Sequence, residues 1–115
     1  MSECIFCKIV KGEIPAAILY EDDKVVAFKD IQPTAPNHVL VIPKKHIVSM
    51  AHATEEDLQE ILPQIFKVIQ KLSQELGIKE EGFRIVNNCG KQGGQTVDHL
   101  HFHLLGGRQM LWPPG

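Results

Sequence analysis

Apolar residues recur at helical spacing in two stretches of the chain. Over residues 3–11, Ile5, Phe6, Ile9 and Val10 fall on one stripe, with Ser2 placed to cap the start and Gly12 to end it. From Thr54 the spacing returns for longer. Leu58, Ile61, Leu62, Ile65, Phe66, Ile69, Leu72 and Leu76 follow, and Gly77 closes the run. Thr54 with Asp57 three residues on has the form of a capping box. Pro63 interrupts this helix. It removes the bond to the carbonyl of Gln59, so a kink or an irregular first turn is expected.

The other apolar positions come in short runs that predict strands. "AAILYEDDKVVAFKD" (16–30) reads as two strands around a turn at Asp22 and Asp23. "IQPTAPN" (31–37) is a loop, since Pro33 and Pro36 bar regular structure. "HVLVIP" (38–43) is a continuous apolar run, hence a strand buried on both faces. "FRIVNN" (83–88) is another strand, "CGKQGGQ" (89–95) a glycine-rich loop, and "HLHFHLL" (99–105) the last long strand. The order lacks βαβ alternation. It predicts an α+β fold, a mostly antiparallel five-stranded sheet with two helices on one side. The chain has no internal repeat, linker or low-complexity tract.

Bulk composition narrows the picture. At 115 residues the chain is one domain, long enough for a core without staples. Apolar residues make up 43% and charged residues 23%, as in globular proteins. A net charge of −2 recruits neither nucleic acid nor an acidic membrane, so any polyanion needs local donors. The opening "MSECIFCKIVKGE" lacks the apolar run of a signal peptide, and no stretch reaches membrane-spanning length. A cytoplasmic location is expected. The 3 cysteines do not imply a disulfide framework.

The chemistry concentrates in "DHLHFHLLGG" (98–107). On a strand, His99, His101 and His103 share one face, while Leu100, Phe102 and Leu104 take the other and serve as core. Neighbouring rings two positions apart lie ~7 Å from each other, and two charges at that distance repel by ~2.4 kcal/mol at a dielectric of about 20. From a reference pKa near ~6.5, at least two rings are then neutral at pH 7. A neutral imidazole is a nucleophile, a proton acceptor or a metal ligand. His-x-His on a strand is also a metal spacing. The loop upstream, with Gly90, Gly93, Gly94 and the hydroxyl of Thr96, has the makings of a backbone nest for phosphate. A phosphate cradle beside a neutral histidine points to nucleophilic attack at phosphorus. An ordinary hairpin turn is the rival reading of the loop.

"HLHFHLLGG" fits the His-x-His-x-His-x-x pattern of the histidine triad (HIT) superfamily, and "GGQTVDHLHFHLLGGRQMLWPPG" resembles the C-terminal part of its nucleotide-binding (Hint) branch. The likeness extends upstream through "IFCKIVKGEIPA", "YEDDKVVAFKDIQPTAPNHVLVIPKKHI" and "FRIVNN". The resemblance implies a single HIT domain over 1–115 and a homodimer whose antiparallel sheet runs across the interface. It implies a purine nucleoside phosphoramidase acting on nucleoside 5′-phosphoramidates and acyl adenylates, with an AMP or GMP moiety retained. By the match His101 resembles the nucleophile, forming a nucleotidyl-histidine that water cleaves. His103 resembles the partner of the phosphate and leaving group, His99 a support whose carbonyl holds the nucleophile's tautomer, and His38 a relay. Thr96 stands where the family often has serine. The N–H groups of Thr96 and Val97, the Gly94 turn and the Asn88 amide would receive the phosphoryl oxygens. Asp30 matches a ribose-binding carboxylate, and Phe6, Ile9, Phe28 and Ile31 match the apolar walls around the base. Trp112 in "WPPG" resembles a residue that reaches the neighbouring subunit's site.

Cys4 and Cys7 form an isolated CxxC at i, i+3 on the first helix. A redox couple lacks its usual preceding strand, and a closed zinc site needs about two more ligands. The resemblance to bacterial family members supplies His46 and His99, making zinc structural and leaving catalysis free of cofactors. Three other functions compete: a nucleotide-binding scaffold with incidental hydrolysis, a hydrolase with zinc on the triad, and a dinucleoside polyphosphate hydrolase. Cys89 has no evident partner, and His52 is expected in solvent.

Overall fold

The computed structural model describes residues 4–115. The elements are α1 (Ile5–Val10), β1 (Ile18–Glu21), β2 (Val25–Lys29), β3 (Asn37–Pro43), one 3₁₀ turn (Met50–His52), α2 (Glu55–Glu60), α3 (Leu62–Glu75), β4 (Phe83–Val86) and β5 (Phe102–Gly106). The five strands form one sheet in the order β1-β2-β3-β5-β4, every neighbour antiparallel. The α+β architecture is as expected. No described helix is long and apolar enough to cross a membrane.

Ser2, expected as the cap of α1, lies outside the described residues. Cys4 caps the helix instead, its Sγ accepting from the N–H of Cys7 at 3.3 Å. Gly12 ends the helix with φ +77°, a conformation open to glycine at little cost. The capping box forms between Thr54 and Asp57. Pro63 does more than kink the long helix. It divides it at Ile61, and Pro63 sits in the first turn of α3, where its missing N–H costs nothing. The break also splits the predicted stripe. Leu62, Ile65, Ile69 and Leu72 are buried, but Leu58 and Phe66 are each 46% exposed.

Two cores follow from strands that are apolar on both sides. Val25, Ala27, Val39, Val41, Phe102 and Leu104 pack against Ile65, Val68, Ile69 and Leu72 of α3. The intervening Val26, Phe28, Leu40 and Ile42 pack against Phe6 of α1. The helices therefore cover both faces, not one. A β2–β3 pair with no polar face requires it.

β5 is shorter than predicted. Its ladder to β3 begins at Val41↔Phe102, so His99 and His101 precede the strand. Beyond Val41 the β3 strand ends at Pro43, which has no N–H to give. Its carbonyl goes to the ring of His99, and the N–H of Leu100 turns away to the carbonyl of Ile47. The alternation survives this departure: Leu100, Phe102 and Leu104 are all in the α3-side core.

Candidate active site

Carbonyl oxygens only accept hydrogen bonds, and backbone N–H groups only donate. These two rules assign protons to the histidine rings. Nδ1 of His101 lies 2.7 Å from the carbonyl of His99, so it carries the proton. In the neutral ring Nε2 then holds the lone pair. Among the described residues no buried side-chain nitrogen or oxygen lacks a partner, and none of those residues bonds Nε2 of His101. That atom therefore keeps a solvent-reachable surface, although the residue is only 3% exposed. Phe6 stands edge-on to the ring, centroids 5.2 Å apart, and the Asn87 amide donates to the His101 carbonyl at 2.9 Å.

A second chain of bonds reaches His103. The N–H of Thr34 donates to Nδ1 of His38 at 3.1 Å. Burial lowers the pKa of His38, against the opposing pull of Asp30, so the ring is neutral and its proton sits on Nε2. That proton is given to Nδ1 of His103 at 2.9 Å. Asp30 Oδ2 is 3.4 Å from the same His38 nitrogen. Burial first, then the repulsion that a second proton would meet beside the His101 and His38 rings, pushes His103 down to about 4. Neutral His103 therefore carries its proton on Nε2. The His101 and His103 rings are 5.2 Å apart. They are closer than uniform strand spacing predicts, and burial outweighs repulsion in keeping His103 uncharged.

His99 faces elsewhere. It is fully buried, and its Nε2–H donates to Pro43, which leaves the lone pair on Nδ1. Burial first holds its pKa at about 4. Nδ1 points at Cys4 Sγ (3.3 Å), Cys7 Sγ (3.6 Å) and His46 Nδ1 (3.2 Å), and Cys7 Sγ is 3.2 Å from His46 Nδ1. Around a tetrahedral zinc, sulfur and nitrogen ligands stand ~3.5 Å apart. The set fits that ion, with the second nitrogen of His99 anchored on a backbone carbonyl as metal-bound histidines usually are. Burial pushes the Cys7 thiol up, and the Cys4 thiol beside it adds to this. A cation in the cluster removes that penalty by taking the thiolate. Asp30, His38 and His103 are also close enough to share an ion. There, however, Nε2 of His38 already carries a proton and stands 2.9 Å from its neighbour, a hydrogen bond rather than a coordination spacing. Neither group unites the three triad rings.

Residues 11–110 match the HIT domain. The chain belongs to the HIT family. It is 51% identical over 116 residues to an HIT-like protein of Synechococcus elongatus, covering all of both chains. It is 49% identical to a 14 kDa zinc-binding protein of Zea mays, covering 99% of this chain and 89% of that one. Among solved structures, an HIT family hydrolase from Legionella pneumophila superposes with a TM-score of 0.95 at 51% identity, covering 98% of this chain and 100% of the other. A histidine triad nucleotide-binding protein from Candida albicans superposes at 0.78 with 40% identity, covering 96% and 83%.

The HIT fold brings some predicted site residues together and leaves others apart. His38, His101, His103 and Asp30 form one connected group, and Cys4, Cys7, His46 and His99 another. Phe6 and Phe28 are buried against each other, rings 5.6 Å apart, and Ile9 is half-buried. Ile31 is 94% and Trp112 79% exposed in this chain. Asn88 and Val97 are half-buried, while Gly94 and Thr96 are exposed. Gly94 has φ +79°. The sequence reading missed Thr34, Pro43, Asn87 and Gln95. Thr34 and Pro43 act through backbone atoms, and Asn87 and Gln95 through side-chain bonds to backbone groups that only the folded chain brings near, so residue type signals none of them.

Proposed function

We propose that this HIT protein is a nucleoside phosphoramidase of the Hint type, cleaving the phosphorus–nitrogen bond of purine nucleoside 5′-phosphoramidates and the anhydride of acyl adenylates. The observation that carries the reading is the 2.7 Å bond from His101 Nδ1 to the His99 carbonyl, which leaves a bare Nε2 beside the protonated Nε2 of His103. His101 Nε2 attacks the α-phosphorus and forms a P–N bond as the bond to the substrate amine breaks. The bound anionic phosphate raises the proton affinity of the Asp30–His38–His103 chain. The chain then takes up one proton from solvent, and that proton passes through His103 Nε2 to the departing amine. Water then attacks the nucleotidyl-histidine, returns a proton to the chain, and frees the nucleotide and His101. The Thr96 hydroxyl and the N–H groups of Thr96 and Val97 receive the phosphoryl oxygens, with the Asn88 amide. One such donor is worth about 10²–10³ in rate.

Asp30 suits a ribose diol, and its Oδ1 is already steadied by the Gln32 N–H at 2.8 Å. Cys4, Cys7, His46 and His99 would hold a structural zinc, whose contribution is to fix His99 and α1. The Zea mays relative, a zinc-binding protein by name, supports this. A homodimer is supported by β4, an edge strand with Phe83 and Ile85 partly exposed. A cytoplasmic location accords with the unpaired cysteines.

Rapid quenching of the protein with adenosine 5′-phosphoramidate, followed by peptide mapping in a mass spectrometer, tests the chemistry. An adenylyl adduct on His101 is expected. An adduct on another residue, or turnover undiminished in His101→Ala, contradicts the proposal.

A further inference from the structure

The loop from Cys89 to Asp98 has few backbone bonds of its own. Gly94 N–H reaches the carbonyl of Lys91, and Gln95 N–H that of Gly90, both at 3.1 Å. Past Gln95 these bonds stop: no described residue accepts from the N–H of Thr96 or Val97. The shape of this segment is set by one side chain. Gln95 Oε1 accepts from the N–H of Gly90 at 2.9 Å. Its Nε2 donates to the carbonyl of Val97 at 2.9 Å and to that of Val48, beyond the end of β3, at 2.7 Å. One amide thus ties the start of the loop, its end and a neighbouring segment together. The packing inside is tight. A Cβ on Gly93 would collide with the Cys89 carbonyl oxygen and come within 2.8 Å of its nitrogen.

We infer that Gln95 is the positioning residue for phosphate, holding the loop so that the N–H groups of Thr96 and Val97 meet the phosphoryl oxygens of a bound nucleotide. The inference rests on the phosphate-cradle reading of the site. Both amide hydrogens and the oxygen are used, so no other side chain of this length reproduces the set. Gln95 touches neither the base nor the ribose subsite as proposed. Its effect therefore falls on ligands with a phosphate and spares those without one.

The test is calorimetric titration of the wild-type protein, Gln95→Met and Gln95→Glu with AMP and with adenosine, alongside thermal melts. Wild type is expected to prefer AMP. In both variants adenosine affinity stays, while AMP affinity falls roughly tenfold or more, the equivalent of one charge-assisted hydrogen bond. Glu keeps the acceptor for Gly90 but has no hydrogens for Val48 and Val97, so it fails as Met does. A full AMP preference in both variants overturns the inference and leaves the cradle standing. Equal losses for AMP and adenosine also overturn it, because Gln95 is then only a fold residue. A wild-type protein without AMP preference removes the cradle itself, and this inference with it.

Discussion

At the scale of single residues, proton placement governs the chemistry. The carbonyl of His99, two residues back, takes the proton of His101 Nδ1 and so turns Nε2 outward. His103 adds a pH dependence. The unfolded chain binds its proton near the ordinary ~6.5, whereas burial holds the folded group at about 4. Between those values the unfolded state binds more protons. Stability is therefore full above ~6.5 and falls as pH drops toward 4, with a slope of at most about 1.4 kcal/mol per pH unit. His38, also lowered by burial, acts in the same direction. Urea melts between pH 7.5 and 4.5 should be flatter for His103→Gln than for wild type. Equal slopes would contradict this placement. Much of this was legible in the alternation of His99, His101 and His103 with apolar residues. What the pattern concealed was that His99 turns to the cysteines, because that depends on where β3 ends at Pro43.

At the scale of elements, period and capping signals were sufficient for most of the architecture. Thr54, Asp57, Gly12 and Gly77 end or begin helices where their chemistry demands, the two glycines at φ +77° and +73°. The strands at 18–21, 25–29 and 37–43 fall where short apolar runs stood. Two features escaped. The long helix is two rods, because Pro63 is better placed at the start of a new helix than inside an old one. The last strand is short, because a ladder needs N–H groups on both sides and β3 ends at a proline. That shortening has a structural consequence at the candidate site. The segment before β5 is free of the sheet, so the carbonyl of His99 can serve His101.

At the scale of the molecule, the question is what ties α1 to the sheet. Phe6 does so from one side through Phe28 and the His101 ring. The cluster of Cys4, Cys7, His46 and His99 does so from the other, joining α1, the segment after β3 and the segment before β5. Elemental analysis should find about one zinc per chain. Chelation should lower the melting temperature by roughly 10 °C or more. Cys4→Ser should start lower and respond little to the chelator. A protein purified without metal, whose melting ignores chelator, would contradict the site. Spacing alone marked only the cysteine pair; the family resemblance named His46 and His99, and folding brings those four together.

The chemistry proposed for the site depends on His101 meeting the substrate with its outward nitrogen bare. Long-range nitrogen–proton correlation spectra of the histidine rings at pH 7 to 8 read it directly. A proton is expected on Nδ1 of His101 and on Nε2 of His38, His99 and His103. A proton on Nε2 of His101 in the resting protein would contradict it.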